Sequence, residues 1–214
     1  AIHRARRLSR ADPKARVILT TYNATLAQGL RADVAALDPD LPIAAHPGDP
    51  GVYVGGIDAL GKAILDRSPR DIVGAACSAV FDSSGIEFGP KRTSADAVWR
   101  EVAQSVDSGL DAKLATPSFL ESEYVAVVLA NRITMLEQYA KVARPGRGVR
   151  LSRPQRIGVW KLVEAYRRHS QMDETISFPE VLAVAAEALR IQTSKDGRFL
   201  ADHVLIDEAQ DLGV

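Results

Sequence analysis

The chain has 214 residues, 46% hydrophobic and 25% charged, and its 27 Lys and Arg balance 27 Asp and Glu to a net charge of zero. This is an ordinary globular composition, long enough for one large domain or two small ones, with no overall basic excess to announce a nucleic-acid partner. A single cysteine, Cys77, excludes an intramolecular disulfide framework and fits a reducing cytoplasm, and no apolar run approaches the roughly 20 residues of a bilayer span.

The opening "AIHRARRLSR" is basic but lacks the apolar core and cleavage site of a secretory signal. Ile2, Ala5 and Leu8 fall at helical spacing with no N-cap before them, as in the back half of a helix cut from a longer chain. "ARVILTTYN", residues 15–23, is a β-branched apolar run that predicts a buried strand. Asn23 caps a predicted helix over residues 24–37, with Leu26, Leu30, Val34 and Leu37 on one face. A Pro-, Gly- and Asp-rich connector leads to a second strand, "VYVGG", and a helix over 57–65 with Asp58 near its start. Strands alternating with helices argue for a parallel α/β sheet.

From Ser68 to Leu189 the pattern is helical, with helices expected over residues 95–107, 117–131, 134–143, 153–170 and 178–189. Ser118 with Glu121 reads as a capping box, and Thr134 with Glu137 as a second helix start. The strand pattern returns only after Arg198, as "HVLID". The expected organisation is therefore a sheet unit over 1–67 and 198–214, interrupted by a mainly helical insertion over 68–197.

"HVLIDEAQDL" carries the most chemistry. A strand of Val204, Leu205 and Ile206 buried in a parallel sheet delivers Asp207 and Glu208 to the carboxyl edge, where α/β proteins bind ligands. Neighbouring residues on an extended chain point opposite ways, so one carboxylate can hold Mg²⁺ while the next faces an attacking water. Nucleotide hydrolysis needs this division of labour. A polar turn after a strand is the plainer alternative.

"LIDEAQDL" resembles motif II, the Walker B box, of superfamily 1A helicases of the UvrD/Rep/PcrA type. "VILTTYNATLAQGLR" is similar to their motif Ia, and "VYVGGIDALGKAIL" occupies the place of motif Ib, departing from it at Gly56, Asp58 and Ala59. "FLESEYVAVVLANRITMLEQY" and "GRGVRLSRPQRIGVWKLVEAY" resemble the helical subdomain 1B inserted into subdomain 1A. The resemblance implies a partial RecA-like P-loop NTPase sheet with an inserted helical subdomain, ATP and Mg²⁺ as cofactors, and 3′-to-5′ movement on single-stranded DNA and its junctions with duplex. No GxxxxGK[ST] occurs in the chain. The resemblance places that loop just ahead of Ala1, and motif III and the second RecA-like domain beyond Val214. These 214 residues alone are accordingly expected to hydrolyse no ATP.

The resemblance makes Asp207 the Mg²⁺ and nucleotide ligand, Glu208 the base that orients water, and Gln210 the link between ATP state and DNA; a solvated turn residue is the alternative for Gln210. Thr21, Tyr22 and Asn23 become candidate contacts to the DNA backbone, which for Asn23 is compatible with capping. Residues 144–156, "RPGRGVRLSRPQR", carry five arginines and no acid. Arg147, Arg150 and Arg153 there are candidate phosphate contacts, with a merely solvated loop as the alternative. Trp99, Tyr124, Tyr139, Trp160 and Tyr166 sit among apolar neighbours at helical positions and read as core, as does Cys77. The four histidines show no metal-ligand spacing. A non-catalytic DNA- or protein-binding module is the competing function, and a P-loop ATPase outside the helicases a third.

Overall fold

The computed structural model describes residues 1–82, 94–173 and 176–211; residues 83–93 and 174–175 of the expected helical block, and Leu212 of the motif, lie outside them. The described residues form a mixed α/β chain in which helix predominates and the strands make one small parallel sheet. In chain order the elements are α1 (Ile2–Ala11), β1 (Arg16–Thr21), α2 (Ala24–Leu37), β2 (Gly51–Gly56), α3 (Ile57–Arg67) and α4 (Arg70–Phe81). There follow α5 (Ala95–Ser105), α6 (Pro117–Glu123), a π-helical turn (Tyr124–Leu129), α7 (Leu136–Lys141), α8 (Arg153–Met172), α9 (Phe178–Asp196) and β3 (His203–Ile206). The chain divides into two compact units, Ala1–Val73 with Ala185–Val214, and Gly74–Val184.

The first unit contains the sheet, ordered β2-β1-β3. β1 is central and buried from Val17 onward. Its alternation sends Val17 and Leu19 into a core with Ala5, Val34, Val52 and Val54, against which Ile2, Leu8, Leu30 and Leu205 pack. Parallel pairing of β1 with β2 requires a crossover, and α2 supplies it. Asn23 starts α2 as expected: its side chain accepts from the Leu26 amide at 2.9 Å.

β3 departs from the expected buried strand. Among the described residues it pairs with β1 alone and lies at the sheet edge, where Val204 is 56% and Ile206 45% exposed while Leu205 faces the core. A continuous apolar run identifies a strand but cannot say whether both of its faces are covered.

Two acids, Asp38 and Asp202, anchor ion pairs that tie this unit together. Arg10 and Arg6 of α1 donate to Asp38 at the end of α2, with Arg10 Nε at 2.9 Å and Arg6 Nε at 2.8 Å from Oδ2. Arg16 clamps Asp202 just before β3. The hydrogen bond from Arg10 holds the Asp38 carboxyl at about 2, below its ordinary 3.8, and that from Arg16 holds Asp202 equally low. Because the folded-state values are depressed, the unfolded chain binds more protons as the pH falls, so this stabilisation is present above about pH 4 and lost toward pH 2. The urea midpoint should drop over that window, and drop less in Asp38→Asn; equal slopes in the two proteins would contradict the assignment.

The second unit is helical. Trp99 stacks on Tyr166 with ring centroids 4.0 Å apart, Tyr124 meets Trp99 edge-on at 5.6 Å, and Tyr139 stacks on Trp160. These aromatics are buried, as their apolar neighbours predicted. Cys77 is buried too, and burial pushes its thiol up to about 11. α8 starts at Arg153 as expected and opens with a capping box of Ser152 and Gln155, one beyond those expected from the sequence. The cap expected at Ser118 is instead Thr116, whose hydroxyl accepts from the Phe119 amide at 3.3 Å. α7 begins at Leu136, after the Thr134 amide donates to Gln138 Oε1. Gly158 of α8 admits the neighbouring chain: a Cβ there would stand 2.6 Å from the Ser108 carbonyl oxygen.

Candidate functional site

The carboxyl edge of the sheet gathers the residues that carry chemistry. β1 ends at Thr21 and β2 at Gly56, in register with it. β3 ends at Ile206, opposite Thr20, and the next rung of the ladder is the Asp207 amide donating to the Thr20 carbonyl at 2.8 Å. α1 starts at the same edge. The Ala1 backbone nitrogen lies 4.0 Å from Asp207 Oδ1, and the Ala1 carbonyl accepts from the Arg4 and Ala5 amides to open the helix. A helix N-terminus carries partial positive charge and free amides, which suit phosphate. The Asp207 carboxylate therefore stands beside an anion-favouring pole.

Glu208 leaves the strand with φ 54°, in the left-handed region that a glutamate seldom adopts. The turn it makes redirects the chain into a short 3₁₀ segment, Ala209–Asp211, and brings the Gln210 side-chain amide onto the Glu208 carboxylate. Both side chains are exposed. Such strained positions concentrate where a side chain must be aimed.

The three motif Ia candidates part company. Tyr22 is 49% exposed and Asn23 exposed at the N-terminus of α2, both open to a ligand at the edge. Thr21 is fully buried, and its hydroxyl has no hydrogen-bond partner among the described residues. Gly56 lets β2 pass beneath this turn: a Cβ there would meet the Asn23 carbonyl carbon at 3.0 Å. Glycine at this position thus has a packing reason.

The basic segment, in the second unit, sorts its arginines differently from a free loop. Arg144 pairs with both oxygens of Glu123, at 2.5 and 2.7 Å, and Arg147 Nε reaches the same carboxylate at 3.1 Å. The Tyr139 hydroxyl also donates to Glu123, at 2.7 Å. Arg156 is spent on the Tyr139 and Val142 carbonyls. Arg150 and Arg153 remain exposed, with no hydrogen bond or ion pair among the described residues. Glu123, the buried acid that organises this segment, was not a candidate from sequence; an acid beside the apolar run "YVAVVL" was its one visible trace.

At the opposite, amino edge of the sheet a cavity of about 250 Å³ is bordered by Arg16, Gly48, Arg67, Arg198 and Phe199. Two of its arginines are already paired, Arg16 with Asp202 and Arg67 with Asp49.

Among the described residues no three His, Cys, Asp or Glu side chains gather to hold a metal ion. Mg²⁺ does not require such a cage, since it keeps several waters and takes one or two carboxylates together with substrate phosphates. Asp207, beside a helix N-terminus, fits that donor set. No protein-family model matches the chain, and no curated protein matches it. No helix among the described residues is long and apolar enough to cross a membrane.

Proposed function

We propose that the chain is part of an ATP-driven DNA translocase or helicase of the superfamily 1A type, working in the cytoplasm on single-stranded DNA and its junctions with duplex. The observation that carries this reading is the meeting of Asp207 with the N-terminus of α1, 4.0 Å away, at the carboxyl edge of a parallel sheet. In this reading α1 turns its positive end toward the nucleotide phosphates, and Asp207 holds Mg²⁺, which neutralises phosphate charge when bound. Glu208 accepts a hydrogen bond from the attacking water, and Gln210, bonded to Glu208, senses that arrangement. The phosphate loop and a second RecA-like domain complete the nucleotide site from outside these residues. DNA passes over Tyr22 and Asn23, and separately meets Arg150 and Arg153.

The test is nucleotide binding. The full-length protein should bind a fluorescent ATP analogue saturably in Mg²⁺, with Asp207→Ala weakening binding only when Mg²⁺ is present. Absence of saturable binding by the wild type would remove the reading. For DNA, Arg150→Gln with Arg153→Gln should weaken single-strand binding and flatten the dependence of log K on log salt by about 1.4, at roughly 0.7 for each phosphate that is no longer neutralised. An unchanged slope would take these arginines off the DNA path. Arg147→Gln should act chiefly through folding, because that side chain serves Glu123.

A further inference from the structure

We propose that Thr21 is a positioning residue for the divalent cation, its hydroxyl donating to the Asp207 carboxylate oxygen that faces away from the ion. This inference rests on the nucleotide reading of the same edge.

Thr20 and Thr21 are adjacent and both buried, yet their hydroxyls have different fates. Thr20 Oγ1 donates to the Gly55 carbonyl at 2.9 Å, whereas Thr21 Oγ1 has no partner among the described residues. A buried hydroxyl without a partner costs stability, and valine, its isostere, would fill the same space in a strand without that cost. A hydroxyl kept there against its cost points to a partner that comes and goes.

The ladder identifies that partner. Thr20 pairs with Ile206 and its carbonyl accepts from the Asp207 amide, so Thr21 is the neighbour of Asp207 across the strands. Alternation puts Thr21 on the face of Val17 and Leu19, and Asp207 on the face of Leu205, and these three apolar residues share one core. The two side chains thus stand on the same face, roughly 5 Å apart by strand spacing, at the end where α1 begins. A carboxylate that gives one oxygen to a cation leaves the other to be fixed by a donor, and such outer donors hold a ligating carboxylate in its useful orientation. Thr21, the sequence's candidate for the DNA backbone, is enclosed on the nucleotide side and leaves Tyr22 and Asn23 to face outward.

The test titrates the full-length protein with Mn²⁺, read by the electron paramagnetic resonance signal of the free ion, in the presence of a non-hydrolysable ATP analogue. Thr21→Val should raise the Mn²⁺ Kd by roughly tenfold or more, while binding of the analogue in EDTA stays unchanged and the ligand-free melting temperature does not fall. Thr21→Ser, which restores the hydroxyl, should recover Mn²⁺ affinity. Thr21→Val binding Mn²⁺ as the wild type does, or Thr21→Ser failing to recover, overturns the inference and leaves the nucleotide site standing. A wild type that does not bind the analogue, with or without the ion, overturns both.

Discussion

Glu208→Gln is expected to lower ATP turnover by the full-length protein roughly 10²–10⁴-fold, the range for loss of a positioned general base, with ATP binding little changed. The substitution keeps size and shape but removes the charge proposed to orient water, so it separates chemistry from binding. The backbone supports the assignment: φ 54° turns Glu208 away from the strand direction that Asp207 continues, and Gln210 holds the redirected carboxylate. The check is steady-state turnover beside equilibrium binding of a fluorescent analogue. Turnover close to that of the wild type would make Glu208 a turn residue and move the base elsewhere.

The second large effect is on folding. Glu123 is fully buried and accepts hydrogen bonds from Arg144, Arg147 and Tyr139. Burial alone would push its carboxyl up, but the bonds from Arg144 and Tyr139 outweigh it and hold the group below its ordinary value. Removing the acid leaves the inward-facing Arg144 guanidinium without its counterion. Breaking such a pair costs about 3–5 kcal/mol, so Glu123→Ala should lose that much by urea denaturation. The exposed pair of Lys62 and Asp66 provides the contrast, since Asp66→Ala should cost only about 0.3–0.5 kcal/mol. A loss for Glu123→Ala as small as that for Asp66→Ala would mean the buried pair does not organise the segment. Simultaneous replacement of Glu123 and Arg144 by apolar residues of similar volume should cost far less than the single change, because no unpaired charge remains.

How far the sequence disclosed this depends on the range of the interactions. α2 was legible from Ala24 to Leu37 because its cap is local: Asn23 needs only the Leu26 amide three residues on. β1 was legible because Val17, Ile18 and Leu19 are apolar on both faces of a central strand. The β3 strand is visible in the sequence but its exposure is not, since being at an edge depends on which strands pair and not on the run Val204–Ile206 itself. The cap of α6 is Thr116 and not Ser118, although the helix starts at Pro117 as expected, because two nearby candidates carry the same capping chemistry and only the fold selects one. The π-helical turn at Tyr124–Leu129 left no mark, as it adds a residue to a helical turn without changing composition. In the basic segment five arginines could be counted, but the partner that Arg144 and Arg147 share lies 21 to 24 residues away, out of reach of any local pattern. At the carboxyl edge, Asp207, Glu208 and Gln210 stand out by their order alone, whereas the enclosure of Thr21 required the register of β1 against β3.

DNA dependence of ATP turnover tests the central claim most directly. The full-length protein should hydrolyse ATP slowly alone and much faster when single-stranded DNA is added, with the stimulation lost in Glu208→Gln. Turnover that ignores single-stranded DNA would contradict a DNA motor, and no turnover under either condition would leave the edge at Asp207 without the chemistry assigned to it.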